Sequence, residues 1–300
     1  MRRVTRKPTT LRRAVARAIV RTCADSIARL QSNRTSKPDV LAVARVAAMA
    51  AAKRTADLIP YCHPLPIESV EVTFELRADS IEIGATVEAV ARTGVEMEAL
   101  TAVSVAALTV YDMLKPDDDT IVIEQIRLES KHGGGSDRAH AAPAGLTAMV
   151  LVASDGVAGG ARSDESGRLA VERLRSHGVE AACEVVPDDR ARIVSTLRAL
   201  VARNVDLIVT TGGTGLGPRD VTVEATHEVI EREIPGIAEA ARAHGQARTP
   251  RAMLSRGVAG VCGRTLIVNL PGSPAGVEDA LDALLPGLFH AFNMLRGQGH

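Results

Sequence analysis

The sequence predicts two domains in series: an α+β domain, followed by an α/β domain with a mostly parallel sheet flanked by helices. The chain has 300 residues, which is long for a single compact core. A segment rich in Gly, Ser, Ala and Pro at 131–145 has no apolar face and is typical of a flexible connector. Because different patterns lie on its two sides, we place the domains at 1–138 and 146–300, with a linker at 139–145.

In the first domain, apolar residues at helical spacing predict a helix at 40–59, with Asp39 at its N-cap and Pro60 ending it. Two alternating runs, 70–76 and 81–89, are joined by a short Ala-Asp-Ser turn and predict a β-hairpin.

A second helix is predicted at 95–115 and a further strand at 121–128. An earlier strand is expected within 14–22, although the arginines spaced every four residues there also fit one face of a helix. The resulting order, β-α-β-β-α-β, is that of a ferredoxin-like α+β layer.

In the second domain, short apolar runs rich in β-branched residues alternate with helical stretches. Strands are predicted at 146–153, 180–186, 205–210 and 265–270, and helices at 165–177, 191–203 and 223–234. This alternation predicts a mostly parallel sheet covered by helices on both faces. In such sheets the site lies at the carboxyl ends of the strands, which here carry Ser154-Asp155, Pro187-Asp188, the glycine loop from Thr211, and Pro271-Gly272.

The composition is that of a folded protein without a strong charge. Hydrophobic residues make up 46% of the chain and aromatic residues only 2%, so Ala, Val, Leu and Ile must build the cores. A formal net charge of zero argues against a general nucleic-acid-binding protein, and no apolar run looks long enough to cross a membrane. The four cysteines form no CxxC pair, which indicates reduced thiols in a cytoplasmic protein. The arginine-rich start also resembles an organellar transit peptide, but it continues directly into a folded-looking pattern.

The predicted helix at 95–115 carries charges on a largely apolar surface. Asp112 and Lys115 are three residues apart and are therefore neighbours on one face. An exposed ion pair of little consequence is one interpretation. However, 100–108 is almost entirely apolar or small, and Glu96 and Glu98 begin the same helix. Charges on a buried helix need partners or a ligand, so a functional site is the alternative.

Other candidate groups of the first domain are scattered along the chain. His63 lies in a proline-rich turn, where a lone histidine is more often structural than catalytic. Lys37, Lys53 and Lys131 would each be explained by a surface position. Together they offer cations for a triphosphate and groups for proton transfer, but the sequence alone does not bring them into one site.

Two long motifs, DVLAVARVAAMAAAKRTADLIPYCHPLPI and TGVEMEALTAVSVAALTVYDMLK, resemble cyclic pyranopterin monophosphate synthase over residues 1–138. The resemblance implies a lyase of molybdenum cofactor biosynthesis that needs no cofactor. It would rearrange a cyclised dihydro-GTP intermediate into a cyclic phosphate and release pyrophosphate. The reaction would require Asp112 and Lys115, as an acid/base pair, to converge with His63 on a common pocket.

The resemblance also implies further roles. Lys53 and Lys131 would support proton transfer or bind phosphate, and the substrate-contact and phosphate positions would be Arg12, Lys37, Tyr61, Cys62, His63, Glu96, Met97 and Glu98. The family usually has Lys-Gly-Asp where this chain has Lys37-Pro38-Asp39, and a second Lys where this chain has Gly135. Because proline restricts the residue before it, the first departure puts the position of Lys37 in question.

In the second domain, the strand at 205–210 runs into a glycine-dense turn followed by Arg219-Asp220. Such a turn lets backbone N–H groups approach a phosphate, although an ordinary glycine-rich turn is the alternative. Neither GxGxxG nor GKS/GKT is present. Asp188 and Asp220, at neighbouring strand ends, are a carboxylate pair suited to Mg²⁺. Ser273 fits an N-cap of the last helix, whose N-terminus would favour an anion.

Together, TTGGTGLGPRDVT, NLPGSPAG and VPDD resemble the molybdopterin-binding family, whose catalytic members are molybdopterin adenylyltransferases, over residues 146–300. The resemblance implies Mg-ATP as AMP donor, molybdopterin as acceptor, and Asp188 and Asp220 as catalytic Mg²⁺ ligands. The pocket would be lined by Ser154, Asp155, Gly212, Gly213, Thr214, Gly215, Pro271, Gly272 and Ser273. The alternatives are a non-catalytic pterin-binding or assembly module, and a scaffold with both sites inactive. Both families form oligomers, so a homo-oligomer, a trimer or hexamer, is expected.

Overall fold

The chain divides into two compact units, Met1–Arg138 and Ala139–His300. The computed structural model describes residues 3–134 and 142–297. Part of the predicted linker at 139–145 therefore lies outside the described residues, and Gly135 lies outside them as well.

The first unit is a sheet covered on one side by helices. Its elements are β1 (Thr10–Arg21), α1 (Ala24–Gln31), α2 (Val40–Lys53), α3 (Thr55–Leu58), β2 (Ser69–Leu76), β3 (Ser80–Ala91), α4 (Glu96–Leu114) and β4 (Val122–His132). The strands lie in the order β2-β3-β1-β4 and all pairs are antiparallel. Ala14, Ala16 and Ala18 of β1 are fully buried. These small side chains let α4 lie close to the sheet. Such close packing fills the core in a chain that has almost no aromatic residues.

The sequence predicted most of these elements. The strand interpretation of β1 is confirmed by its alternating burial, and the hairpin of β2 and β3 is confirmed. The helix predicted at 40–59 is interrupted after Lys53 and resumes as α3. Asp39 is not a side-chain N-cap, because its backbone is left-handed, with φ 57°, and its side chain makes no capping hydrogen bond. Helix α1 was not predicted.

The second unit is a six-stranded sheet with helices on both faces. Its elements are β5 (Thr147–Ala153), α5 (Asp155–Ala158), α6 (Glu165–Arg175), β6 (Glu180–Val186), α7 (Arg190–Ala202), β7 (Leu207–Thr211), α8 (Thr222–His227), β8 (Arg232–Glu233), α9 (Pro235–Gln246), a 3₁₀ helix (Pro250–Leu254), β9 (Ala259–Cys262), β10 (Thr265–Leu270), α10 (Pro274–Leu288) and α11 (His290–Leu295). The strand order is β6-β5-β7-β10-β9-β8.

The first four strands of this order are parallel, and β9 and β8 add an antiparallel edge. The mostly parallel sheet is therefore confirmed. Two apolar clusters, one on each face, enclose it. The helix predicted at 223–234 is wrong in its second half, because α8 ends at His227 and β8 follows. Helix α9 and strand β9 were not predicted.

The expectation that no segment is long and apolar enough to cross a membrane needs correction. Within the described residues, α4 meets that criterion by length and composition. More than half of its apolar stretch is buried against the sheet and α2, however, and core helices of soluble proteins meet the same criterion. This helix is therefore only weak support for a membrane span.

Candidate functional site

The described part of the first unit contains a cavity of about 520 Å³ beside the N-terminal end of α4, lined also by β1 and β4 residues. It brings together seven of the residues predicted for this domain: Arg12, Tyr61, Cys62, His63, Glu96, Met97 and Lys131. It is also lined by Lys7, Arg13 and His132, which sequence reasoning did not assign to the site. Arg13 points to the outer face of β1, where its Nε lies 3.3 Å from Glu88 Oε1. Lys131 Nζ lies 3.2 Å from Oε1 of Glu96, the one carboxylate residue in the described lining. With Lys7 and Arg12 in addition, positive charge exceeds negative charge in the lining, so the cavity is suited to a polyanion.

Arg12 shows how the fold places a cation here. Strand alternation puts it on the helix-facing side of β1, in line with Ala14, and it is only 6% exposed. Its Nε donates a hydrogen bond to the carbonyl oxygen of Ala91 at 3.1 Å, across the β1–β3 pair. The guanidinium is therefore oriented by the sheet itself, a rigid support for a charged ligand contact.

Glu98 lies beside the cavity and is almost completely buried, with 2% of its surface exposed. The thiol of Cys62 donates a hydrogen bond to Glu98 Oε1 at 3.3 Å. Within the described residues, Glu98 Oε2 has no hydrogen-bond partner. Burial raises the pKa of Glu98, and burial together with the charge of Glu98 raises the pKa of Cys62 to about 11. Cys62 is therefore a protonated hydrogen-bond donor at neutral pH and not a thiolate nucleophile.

A second cluster, formed by Lys37, Asp112 and Lys115, lies at the C-terminal end of α4. Asp112 Oδ1 is 2.7 Å from Lys115 Nζ, and Asp112 Oδ2 is 2.8 Å from Lys37 Nζ. Lys37 Nζ also donates to the backbone oxygen of Asp112 at 2.8 Å. Hydrogen bonds from Lys115 and Lys37 lower the pKa of Asp112 to about 2, and Asp112 in turn raises the pKa of Lys115. Despite Pro38, Lys37 therefore reaches Asp112.

The cavity and the Lys37–Asp112–Lys115 cluster are separated by the length of α4. At 1.5 Å per residue, the sixteen steps from Glu96 to Asp112 span about 24 Å. The expected convergence of Asp112 and Lys115 with His63 therefore does not occur within one chain. Lys53 lies exposed at the end of α2 and does not line the cavity. The motifs identified the groups. The helix predicted at 95–115 already implied that its two ends lie far apart, and the expectation of a single pocket did not take that length into account.

The second unit contains a cavity of about 730 Å³ at the carboxyl ends of its parallel strands, as predicted. Among the predicted residues, the lining includes Ser154 after β5, Asp188 after β6, Gly212 and Gly213 after β7, and Gly272 after β10. Asp220, from the loop before α8, completes the set. Ser154 Oγ also accepts a hydrogen bond from the backbone N–H of Val157 at 3.4 Å.

Two glycines of this loop are required by sterics and backbone conformation. Gly212 has φ +95°, and a Cβ there would lie 2.2 Å from the carbonyl oxygen of Ala153. Gly213 has φ +61°, and its Cβ would lie 2.2 Å from Thr222 Oγ1. Without a Cβ, Gly212 packs directly on the end of β5 and Gly213 packs on Thr222. Both glycines line the cavity, so backbone atoms of the loop face it.

The aspartates at the cavity are held by backbone and arginine contacts. Asp155 and Asp188 exchange hydrogen bonds: each backbone N–H donates to the other's carboxylate at 3.0 Å. Arg219 Nη1 lies 3.2 Å from Asp155 Oδ2, and the backbone N–H of Gly217 donates to Asp220 Oδ2 at 2.7 Å. Asp155 therefore orients Asp188 from beside the cavity and is not part of its lining.

Asp188 and Asp220 both line the cavity and are the candidate Mg²⁺ ligands. Within the described residues, no group of three or more His, Cys, Asp or Glu side chains is placed to hold a metal ion. Mg²⁺ commonly binds through one or two carboxylates, substrate phosphates and water. The two carboxylates therefore fit an ion that arrives with a nucleotide better than a permanently bound one.

The remaining predicted residues lie near the cavity without lining it. Thr214 and Gly215 belong to the glycine loop but are not part of the lining. Pro271 and Ser273 line a neighbouring cavity of about 170 Å³. Ser273 Oγ accepts from the backbone N–H of Gly276 at 3.2 Å, which confirms the predicted N-cap of α10.

Arg256 supports the glycine loop and was missed by sequence reasoning. Its backbone N–H donates to the carbonyl of Thr214 at 3.0 Å, and its side chain donates to the carbonyls of Gly215 and Asp220, each at 2.7 Å. It also forms an ion pair with Glu224 of α8. Arg256 follows a 3₁₀ helix in a stretch without helical or strand periodicity, so the sequence offered no signal for it.

Comparison with known proteins covers both units. A molybdenum cofactor biosynthesis bifunctional protein from Chlorobaculum tepidum is 44% identical over 298 residues, which are 99% of this chain and 95% of that protein. A protein of the same name from Synechococcus elongatus is 39% identical over 308 residues, covering 98% of this chain and 97% of the relative. The likeness therefore extends over the whole chain and includes the succession of the two units.

Each unit also matches by itself. Residues 1–134 match the MoaC family, and residues 149–290 match a family described as a probable molybdopterin binding domain. The cyclic pyranopterin monophosphate synthase of Thermomicrobium roseum is 56% identical over 135 residues, 44% of this chain and 81% of that enzyme. The crystal structure of the molybdopterin biosynthesis enzyme MoaB from Thermus thermophilus is 48% identical and covers 51% of this chain and 97% of that chain, with a TM-score of 0.49. On the full-length matches, the chain belongs to the family of molybdenum cofactor biosynthesis bifunctional proteins.

Proposed function

We propose that the chain is a bifunctional enzyme of molybdenum cofactor biosynthesis and that its first unit is a cyclic pyranopterin monophosphate synthase. This unit converts the cyclised GTP-derived intermediate to the cyclic monophosphate and releases pyrophosphate. The cavity of the first unit carries the proposal, because Lys7, Arg12 and Lys131 offer positive charge to a triphosphate. His63 and Glu96 face the same space and can exchange protons with a bound pterin precursor.

A second copy of the chain completes this site in our proposal. One chain places His63 and Asp112 at opposite ends of α4, so a reaction that uses both needs groups from two chains. The outer faces of α2 and α4 support such an assembly, since they expose Val43, Val46, Met49, Leu108 and Tyr111. An apolar face of this kind marks a protein–protein contact. Tyr111 directly precedes Asp112, so an interface here would bring another copy to the Lys37–Asp112–Lys115 cluster. A trimer or hexamer remains our proposal for the assembly.

Mixed oligomers test the shared site. His63→Ala and Asp112→Asn variants of the full chain are each expected to lack pyrophosphate release from the cyclised intermediate. After the two are unfolded and refolded together, sites that combine an intact His63 from one copy with an intact Asp112 from another should restore part of the activity. Refolding each variant by itself is the control. Absence of any recovery in mixtures shown to contain both variants would refute a site built from two copies.

The second unit transfers AMP from Mg-ATP to molybdopterin in our proposal. Its cavity supports this, since exposed backbone at Gly212 and Gly213 can approach phosphate, and Asp188 and Asp220 line the same cavity. These carboxylates would hold the Mg²⁺ that accompanies ATP, an ion that neutralises phosphate charge and orients the reacting groups. Asp155 fixes Asp188, and Gly217 fixes Asp220, through the hydrogen bonds described above.

Radiolabelled ATP and purified molybdopterin test the second activity. The wild type is expected to form adenylylated molybdopterin in the presence of Mg²⁺, and Asp188→Asn and Asp220→Asn should lose product formation. Asp189→Asn is a matched control, because Asp189 caps α7 through the backbone N–H of Arg192 and does not line the cavity. Molybdopterin binding without any adenylylated product from the wild type would favour a non-catalytic pterin-binding module.

Two further properties remain proposals. The strand order β2-β3-β1-β4, with α2 and α4 on one face, supports a ferredoxin-like class for the first unit. All four cysteines are free, which supports a reducing, cytoplasmic location.

A further inference from the structure

Asp117 lies in the turn between α4 and β4, and its side chain is buried, with 2% exposed. Its Oδ2 accepts a hydrogen bond from the backbone N–H of Ser36 at 2.8 Å, and its Oδ1 accepts from the Ser36 hydroxyl at 2.6 Å. Arg29 Nη1 of α1 lies 3.5 Å from Oδ1. The Ser36 hydrogen bonds, with a further contribution from Arg29, lower the pKa of Asp117. Asp117 is thus a buried, charged anchor for residue 36.

The segment anchored in this way is the loop 32–39 between α1 and α2. None of its residues is buried, so apolar packing does not fix its position. Two of its non-glycine residues, Asn33 and Asp39, have positive φ values of 51° and 57°, a conformation that L residues adopt at a cost. The loop must therefore be held by polar contacts. Those to the end of α4 are made by Ser36 with Asp117 and by Lys37 with Asp112.

We infer that Asp117 is a positioning residue for the reaction of the first unit: by holding Ser36, it sets the loop so that the adjacent Lys37 ammonium meets Asp112. Asp117 does not itself touch the proposed reacting groups. The Thr35 hydroxyl, which donates to the Lys37 carbonyl at 2.8 Å, stiffens the same turn. The inference rests on the proposed function of the first unit, because Lys37 has a catalytic role only in that reaction.

A double-mutant cycle on the full chain tests this coupling. The wild type, Asp117→Ala, Lys37→Met and the double variant are compared for kcat/KM of pyrophosphate release from the cyclised GTP-derived intermediate. Alanine is used because an asparagine could still bind both groups of Ser36. Asp117→Ala is expected to lower kcat/KM roughly 10- to 100-fold, since small displacements of a catalytic group cost up to about 10²-fold. The double variant should be no worse than Lys37→Met alone, because Asp117 then has no catalytic group to position. Asp119→Ala, which removes an exposed carboxylate two residues away, is the matched control and should behave as the wild type.

A crystal structure of Asp117→Ala gives a readout independent of turnover. A Lys37 Nζ displaced from Asp112 supports the inference, and an unchanged 2.8 Å separation overturns it. Wild-type activity in folded Asp117→Ala, or multiplicative losses in the double variant, would overturn it as well. If Asp117→Ala does not fold, Ser36→Ala removes one of the two hydrogen bonds and should show a smaller effect of the same kind. A wild type without turnover would refute the proposed function and leave the crystallographic outcome to decide the positioning.

Discussion

Substituting Gly212 by alanine tests whether the glycine loop of the second unit must touch the end of β5. The new Cβ would lie 2.2 Å from the carbonyl oxygen of Ala153, while a relaxed C···O contact is about 3.3–3.6 Å, so the loop must move by about 1 Å. The positive φ of 95° costs about 1–2 kcal/mol for any L side chain. Overpacking against backbone adds about 1–3 kcal/mol, which gives a total of roughly 2–5 kcal/mol.

Gly160→Ala is the matched control for this substitution. Gly160 also has a positive φ, 74°, but no atom lies within 4 Å of the position that a Cβ would take there, so only the conformational cost of about 1–2 kcal/mol applies. Hydrogen exchange of the β7 amides measures the stability of the second unit by itself. Gly212→Ala should lose more protection than Gly160→Ala. The proposed AMP transfer should also fall, since a displacement of about 1 Å can cost about 10²-fold in rate. Equal protection and equal activity of the two variants would refute the steric argument.

The remaining predictions concern the first unit. Asp112→Asn and Lys115→Met should each abolish turnover without unfolding the first unit, because the pair is exposed; near-normal rates would remove the pair from the mechanism. The pKa of Asp112 falls from 3.8 to about 2 on folding, so its contribution to stability is present above pH 3.8 and is lost as the pH falls towards 2. Carboxyl ¹³C NMR should show a higher pKa of Asp112 in Lys115→Met than in the wild type. An unchanged pKa would contradict the ion pair. Burial raises the pKa of Glu98 above 4.5, so the charged form of Glu98 destabilises the folded state as the pH rises. In urea unfolding, Glu98→Gln should therefore be stabilised relative to the wild type by more at pH 8 than at pH 4. A stability gain independent of pH would show that ionisation of the buried carboxylate is not penalised.

The sequence predicted elements with regular periodicity and missed those without it. The alternation of the β2–β3 hairpin was sufficient, because one face of each strand packs on helices. For β1 a strand was expected, but the arginines spaced every four residues left a helix as the alternative. The two-residue strand β8 was not detectable, since two residues cannot show a period and its antiparallel pairing with β9 is set by tertiary contacts. Local patterns therefore specified the parallel core but not its antiparallel edge.

The candidate site shows the same limit. Motifs identified Asp112, Lys115 and His63, and they identified the strand-end loops of the second unit, because topology alone places the ends of parallel strands together. The length of the predicted helix already separated Glu96 from Asp112 by about 24 Å, but no local pattern shows which groups another copy of the chain would bring to either end. Arg256 was missed for a related reason: its side chain donates hydrogen bonds to carbonyl oxygens of residues 36 and 41 positions earlier in the chain, and no local pattern shows such contacts.

The dipole of α4 favours the carboxylates at its start and opposes the one at its end. Glu96 and Glu98 occupy the first turn, where the positive end of the helix dipole favours carboxylates. Asp112 lies in the last turn, where the dipole disfavours a negative charge. Lys37 and Lys115 outweigh that penalty, since the pKa of Asp112 falls rather than rises. The lowered pKa means that Asp112 stays ionised between the two ammonium groups. In the proposed reaction its role is therefore to hold Lys37 and Lys115 in place by charge-assisted hydrogen bonds, at 2.8 and 2.7 Å.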